Sequence, residues 1–165
     1  MDPVTSEITI DAPRERVYAV LADLAMRPLF CDHFQEDYRL QRIQSRGVAA
    51  AARFRVNAPR FPVWMETVVR ELDPPHMIVE HGRGGRLDRI PVRTSWELVE
   101  GAGRTCDVMV SFWTEPEHFA DKLTDRVAPG AWYGRQWKRA LTRLRDLVED
   151  EVMLEPLRVG GASRL

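Results

Sequence analysis

Glu66 and Arg70 stand four residues apart in the run Val63-Trp64-Met65-Glu66-Thr67-Val68-Val69-Arg70-Glu71-Leu72. In an extended strand that spacing sends both side chains to one face, roughly 13 Å apart. On an inward face they would be two ionisable groups in an apolar space, where a charge must pair, hold water or meet a ligand. A desolvated Glu66 could give or take a proton there. The planar fork of Arg70 could hold a carboxylate or another oxygen acceptor. On an outward face both would simply be solvated. His81 and Arg83 come near the end of the next extended run, beside a glycine-rich turn. His81 there is either a cavity acid or base, or a satisfied residue on the rim. Arg70, Glu66 and His81 are therefore the candidates for catalysis.

Other combinations carry less. His33 follows Cys31 and Asp32, but three adjacent residues cannot converge on one ion from a helix. No further Cys/His cluster exists, so no metal is expected. Gly82-Arg83-Gly84-Gly85-Arg86 matches neither GxxxxGK[ST] nor GxGxxG and precedes a strand, which makes it a hairpin turn. There is no GxSxG and no HExxH, and no cofactor is expected. His76 sits on a turn and His118 in a connector.

The 165 residues fit one domain, 44% hydrophobic and 30% charged, as in a soluble globular protein. Net charge is −1, which provides no global basic field for nucleic acid. Lys122 and Lys138 are the only lysines; the arginines are scattered and matched by acids. No signal peptide or membrane span is read, which places the protein in the cytoplasm with Cys31 and Cys106 as reduced, buried thiols. Ile8 and Ile10 alternate with Thr9 and Asp11 as in a half-buried strand. Asp11 suits an N-cap, Pro13 the first helical turn, and Val17, Val20, Leu21 and Leu24 follow at helical spacing. Met26 to Phe34 reads as a short second helix or a helical turn started near Pro28. Residues 36–46, 48–57, 63–72, 76–83, 88–99 and 104–115 read as strands separated by Gly and Pro turns, an antiparallel meander.

A connector follows from Glu115 to Pro129, with a helical turn around 118–127. A long helix then runs from about Ala131 to Glu151. Its stripe is Tyr133, Trp137, Ala140, Leu141, Leu144, Leu147 and Val148; Arg135, Lys138, Arg139, Thr142, Arg143, Arg145 and Asp146 occupy the opposite face. One domain is expected over 1–155, with a disordered tail over 156–165.

The passage from strand into helix through Ala12-Pro13-Arg14-Glu15-Arg16-Val17 resembles the opening of the START-like superfamily, also called the Bet v 1-like or polyketide cyclase/dehydrase group. Asp73-Pro74-Pro75 resembles its "DPP" turn, Thr94-Ser95-Trp96-Glu97-Leu98 its "TWxL" strand, and Gly103-Arg104-Thr105 its "GxT" approach to the last strand. The resemblance spans nearly the whole chain. It implies an α+β helix-grip fold: a seven-stranded antiparallel sheet curled around a long C-terminal helix, with two short helices after strand 1 and a cavity between sheet and helix.

Alternation along residues 88–99 sends Ile90, Val92, Thr94, Trp96 and Leu98 inward. On the last strand Val110 and Phe112 are preferred over Met109 and Trp113. On the strand at 63–72 the alternation fits either face. The family's Trp near its start favours Trp64, Glu66, Val68, Arg70 and Leu72 as inward. The resemblance further places Phe30 and Phe34 as a lid, Trp132, Tyr133, Trp137 and Leu141 on the helical wall, and Phe54 and Arg83 among the lining.

Three functions follow. The first is binding of a hydrophobic small molecule, such as a lipid, quinone or polyketide-like aromatic. The second is a polyketide aromatase/cyclase closing and dehydrating a poly-β-ketone, with Arg70, Arg83 and Trp96 as matching positions. The family's Trp-Pro on the second helix is Arg27-Pro28 here, and its nearby tyrosine is replaced by His33 or Phe34. The third is a protein-interaction module without a ligand. Monomer and homodimer both remain open.

Overall fold

The computed structural model describes residues 1–116 and 130–150. The connector beyond residue 116, with its expected helical turn, and the tail lie outside the described residues. The elements are β1 (Val4–Ile10), α1 (Arg14–Leu21), a 3-10 turn (Leu24–Met26), α2 (Arg27–Cys31), β2 (Gln35–Leu40), β3 (Ala51–Val56), β4 (Val63–Asp73), β5 (Met77–Gly84), a 3-10 turn (Arg86–Asp88), β6 (Ile90–Glu100), β7 (Cys106–Thr114) and α3 (Gly130–Glu149). The strands form one antiparallel sheet in the order β1-β7-β6-β5-β4-β3-β2. This is the helix-grip architecture: a curled seven-stranded sheet closed by α3, which packs on β1 and α2.

Where period and burial agree, the elements match their sequence pattern. The apolar stripe of α3 buries Tyr133, Trp137, Ala140, Leu141, Leu144 and Val148. Each large side chain so buried contributes roughly 1.5–3 kcal/mol. On β6, Ile90, Val92, Thr94, Trp96 and Leu98 face the core, and on β7 Cys106, Val108, Val110 and Phe112 do.

Four expectations need correction. Asp11 does not cap α1; Pro13 holds that position, and the Asp11 amide instead donates to Glu149 Oε1 at the far end of α3, 2.8 Å away. The second helix divides into a 3-10 turn, capped by the Asp23 carboxylate on the Ala25 amide, and a short α2. β2 ends at Leu40 and residues 41–50 form a long loop; within the strand, Asp37 adopts φ 52° where the register with β3 shifts between Glu36 and Arg39.

The fourth correction concerns β4. Met65, Thr67 and Val69 are its buried residues, so Trp64, Glu66 and Val68 lie on the outer face. A bulge between Val69 and Glu71 leaves Arg70 unpaired and exposed and turns Leu72 back inward, opposite Ile78. The same pairing puts His81 and Arg83 on the outer face of β5, while Ile78 and Glu80 face in.

Cys31 and Cys106 are buried and unbridged. Burial pushes the Cys31 thiol up to about 12 and that of Cys106 to about 11, so neither is a nucleophile at neutral pH.

Candidate functional site

Between sheet and α3 lies a cavity lined by Phe34, Phe54, Val56, Met65, Val92, Phe112, Tyr133 and Trp137, with Arg27, Gln35, Glu66, Thr67, Glu80 and Thr94 completing the wall. Its open space measures about 20 Å³ for the centre of a water, room for roughly one molecule. Aromatic rings fill the rest. Phe34 packs edge-on against Trp137 at 5.2 Å and Trp132 at 6.3 Å, and Phe112 lies 4.6 Å from Tyr133. Val56 ends β3, while Gln35, Met65 and Val92 sit at or near the starts of β2, β4 and β6; Phe112 is near the end of β7 and Tyr133 in the first turn of α3. These residues gather at one end of the strands, while Thr67, Glu80 and Thr94 carry the wall toward the middle of the sheet.

Its floor is charged. Glu80 and Arg27, only 2% and 3% exposed, form a buried ion pair through Arg27 Nη2 and Glu80 Oε1. The same Oε1 accepts the Trp96 indole N–H at 3.1 Å, and Thr67 Oγ1 donates to Oε2 at 2.7 Å. The Arg27 guanidinium lies over the Trp96 ring, 4.8 Å from its centroid, and 5.7 Å from that of Phe30. Burial opposes the charge of Arg27, but Glu80 overrides it, and the guanidinium stays firmly protonated. Burial also raises the Tyr38 phenol well above its usual range.

Three polar atoms of lining residues are buried without a hydrogen-bond partner among the described residues: Arg27 Nε, Gln35 Oε1 and Trp137 Nε1. Such groups cost about 1–3 kcal/mol each when left unmade, and native interiors hold few of them.

Of the residues the sequence nominated, Phe34, Phe54, Val92, Thr94, Phe112, Tyr133 and Trp137 line this cavity. Phe30, Trp96, Val110 and Leu141 are buried in the shell behind it, and Trp132 is half-buried against Phe34. Trp64, Val68, Arg70, His81 and Arg83 share the outer face. Glu66 touches the cavity wall, but its strand position opposite Arg53 and Arg83 belongs to that outer face as well. Glu66 and Arg70 thus form no inward acid–base pair. His81 accepts a hydrogen bond from Arg93 Nη1 at 3.2 Å, and burial, Arg93 and Arg70 lower its pKa. The sequence reading passed over Arg27, Gln35, Thr67 and Glu80. Alternation with Ile78 was the one available pointer to Glu80, and with Met65 and Val69 to Thr67.

His33 links the end of α2 to α3. No metal-ligating cluster occurs among the described residues. Its Nε2 meets the Gln136 carbonyl at 3.2 Å and its Nδ1 faces Arg143 Nη1 at 3.4 Å, while Arg143 also pairs with Asp32. Arg143, assigned by its spacing to a solvated face, is therefore part of this joint. Burial lowers the His33 pKa below 6.5; the Gln136 carbonyl opposes this, and Arg139 and Arg143 add to it. A lowered folded value means the joint is intact above 6.5 and weakens as pH falls through the folded pKa. The melting temperature should drop between about pH 7 and pH 5, and His33→Gln should flatten that slope. An unchanged slope in the variant would exclude His33 as its source.

A curled seven-stranded sheet gripping one long helix defines the helix-grip fold class. The chain belongs to the polyketide cyclase / dehydrase and lipid transport family, whose model matches residues 1–149. No curated protein matches the sequence. Among solved structures, the protein TTHA0849 of Thermus thermophilus is 20% identical, with TM-score 0.68 over 88% of this chain and 96% of that one. A START superfamily protein of Mycobacterium smegmatis is 14% identical, TM-score 0.60, over 89% and 94%. Major latex-like protein 151 of Panax ginseng is 10% identical, TM-score 0.66, over 88% and 95%. At these identities the likeness is one of fold.

Proposed function

We propose that the chain binds a small hydrophobic molecule, ring-bearing and polar at one end, in the cavity between the sheet and α3. The observation that carries this reading is the set of partnerless atoms among the aromatic, aliphatic and polar side chains of the wall. Arg27 Nε and Trp137 Nε1 are donors and Gln35 Oε1 is an acceptor. A guest with a carbonyl or hydroxyl at its polar end would satisfy them while its apolar body displaced the packed rings. Entry requires Phe34 and Trp137 to swing apart, since the present space holds little more than a water. The cyclase reading draws no support from Arg70 and Arg83, which lie outside the cavity.

Native mass spectrometry of freshly purified protein, with solvent extraction and mass analysis of what is released, tests the reading. A lipophilic guest that dissociates on denaturation supports it. A ligand-free mass that persists after incubation with quinones, fatty acids and aromatic polyketides counts against it. The orphaned acceptor gives a second test. Gln35→Met should stabilise the ligand-free protein by about 1 kcal/mol in urea, by removing a buried unmet polar group. It should also weaken retention of the guest. Stabilisation without any loss of retention would leave Gln35 out of the site.

A further inference from the structure

Phe34 and Trp137, whose rings meet at 5.2 Å across the cavity mouth, each follow a residue that bonds across the same seam. His33 precedes Phe34 and Gln136 precedes Trp137, and the His33 Nε2–H donates to the Gln136 carbonyl at 3.2 Å. A carbonyl only accepts, so Nε2 carries the proton and Nδ1 is left to accept from Arg143 Nη1 at 3.4 Å. Arg143 Nη2 donates to the Leu29 carbonyl at 3.3 Å, and the same side chain pairs with Asp32. One arginine of α3 thus holds α2 and the residues just after it at three points. These bonds cross the seam that must part before anything much larger than a water enters.

The ring at the centre of this seam is one that titrates. The charged groups acting on it are Asp32 from its own segment and Arg139 and Arg143 from α3. Asp32, the one anion of the three, is already engaged by Arg143. A proton on Nδ1 removes the acceptor that Arg143 uses and sets two N–H donors face to face. The ring is half-buried, and once charged it gains by turning out into water. On leaving, it releases the Gln136 carbonyl, and the bond that ties the backbone beside Phe34 to the backbone beside Trp137 is lost.

We propose that His33 and Arg143 form a proton-released latch over the Phe34–Trp137 contact: shut while the His33 ring is neutral, and opened by acidification so that a guest enters or leaves. The latch stands on the bonds of the seam alone. Its use by a guest rests on the ligand reading above. The sign follows from the closed state. Burial and the two arginines hold the ring below its ordinary pKa of 6.5 there, so closure is favoured above that value and is lost as pH falls through the closed-state pKa.

Cys31 reports the opening without any guest. It sits on α2, fully buried and within reach of the Arg143 charge, so dithiodipyridine, a small neutral disulfide, labels it only when the seam parts. Mass analysis of peptides assigns the label to Cys31. The rate is compared between the full-length parent and His33→Gln at about pH 7.5 and about pH 5. The glutamine amide can still donate to the Gln136 carbonyl but does not titrate. Taking the ratio of the two rates at one pH cancels the thiol's own pH dependence. That ratio should be near one at the higher pH and about fivefold or more in favour of the parent at the lower. Arg143→Gln should label about fivefold faster than the parent at the higher pH. Low concentrations of urea should change these rates little, as expected of an opening that exposes little surface. The proposal is overturned if the ratio is the same at both pH values, or if Arg143→Gln labels no faster than the parent. It is likewise overturned if labelling carries the full urea dependence of unfolding, because the whole fold then opens and not the seam. The failure of this test leaves the ligand reading untouched, and a protein that never takes up a guest leaves the latch standing.

Discussion

Arg27→Met is expected to lower the unfolding free energy by about 3–5 kcal/mol, because it leaves a buried carboxylate without its counter-ion. For a chain of this size that is a drop of roughly 10 °C in melting temperature. Glu80, 2% exposed, would keep only the Trp96 indole N–H and the Thr67 hydroxyl as donors. Glu80→Leu should cost a similar amount for the opposite reason: a buried guanidinium loses its anion, and two donors lose their acceptor. The double variant, Arg27→Met with Glu80→Leu, should regain most of the loss, since apolar replacements for a buried pair are often neutral or stabilising. Urea denaturation of the four proteins closes a double-mutant cycle, and a coupling of several kcal/mol is the expected result. Costs that simply add would mean the pair acts as two independent groups. The double variant also separates stability from function. It keeps the fold while stripping the charged floor from the cavity, so a guest retained by the parent and lost by the double variant would assign the pair to recognition.

That pair was the least legible feature of the sequence. Arg27 and Glu80 are 53 positions apart, and each alone reads as an ordinary surface charge. Only the fold sets one against the other, with Trp96 beneath both. Arg143 and Asp32, 111 positions apart, pose the same difficulty: helical spacing put Arg143 on a solvated face, and the packing of α2 gave it partners. By contrast β6, β7 and α3 could be read well, because their apolar period runs unbroken and coincides with burial. The face of β4 could not be chosen from the sequence for a physical reason. Its bulge between Val69 and Glu71 changes parity midway, so Trp64 and Leu72, an even number of residues apart, end on opposite sides. An alternation rule assumes a regular pleat, and a bulge breaks it by adding one residue to one strand.

Gly82→Ala tests how closely β4 and β5 are packed. A Cβ at Gly82 would collide with the Glu66 carbonyl oxygen and lie 2.7 Å from its carbon, both backbone atoms of the neighbouring strand. No side-chain rotation relieves such a contact, so β4 and β5 must separate where Thr67 pairs with Gly82. A loss of about 3 kcal/mol or more is expected, among the larger values for a point substitution and tied to a named clash. The damage should reach the site. Separating the strands pulls the Thr67 hydroxyl from Glu80 and shifts the cavity wall. Gly134→Ala is the matched control. Its Cβ meets only Val4 Cγ1 at 3.4 Å, an ordinary contact, and alanine favours a helix over glycine by about 1 kcal/mol. That variant should hold or gain stability in the same urea titration. If Gly82→Ala were equally well tolerated, the close approach of β4 and β5 could not be what fixes the floor of the cavity. The position of Glu80 would then have to come from its polar partners Arg27, Trp96 and Thr67.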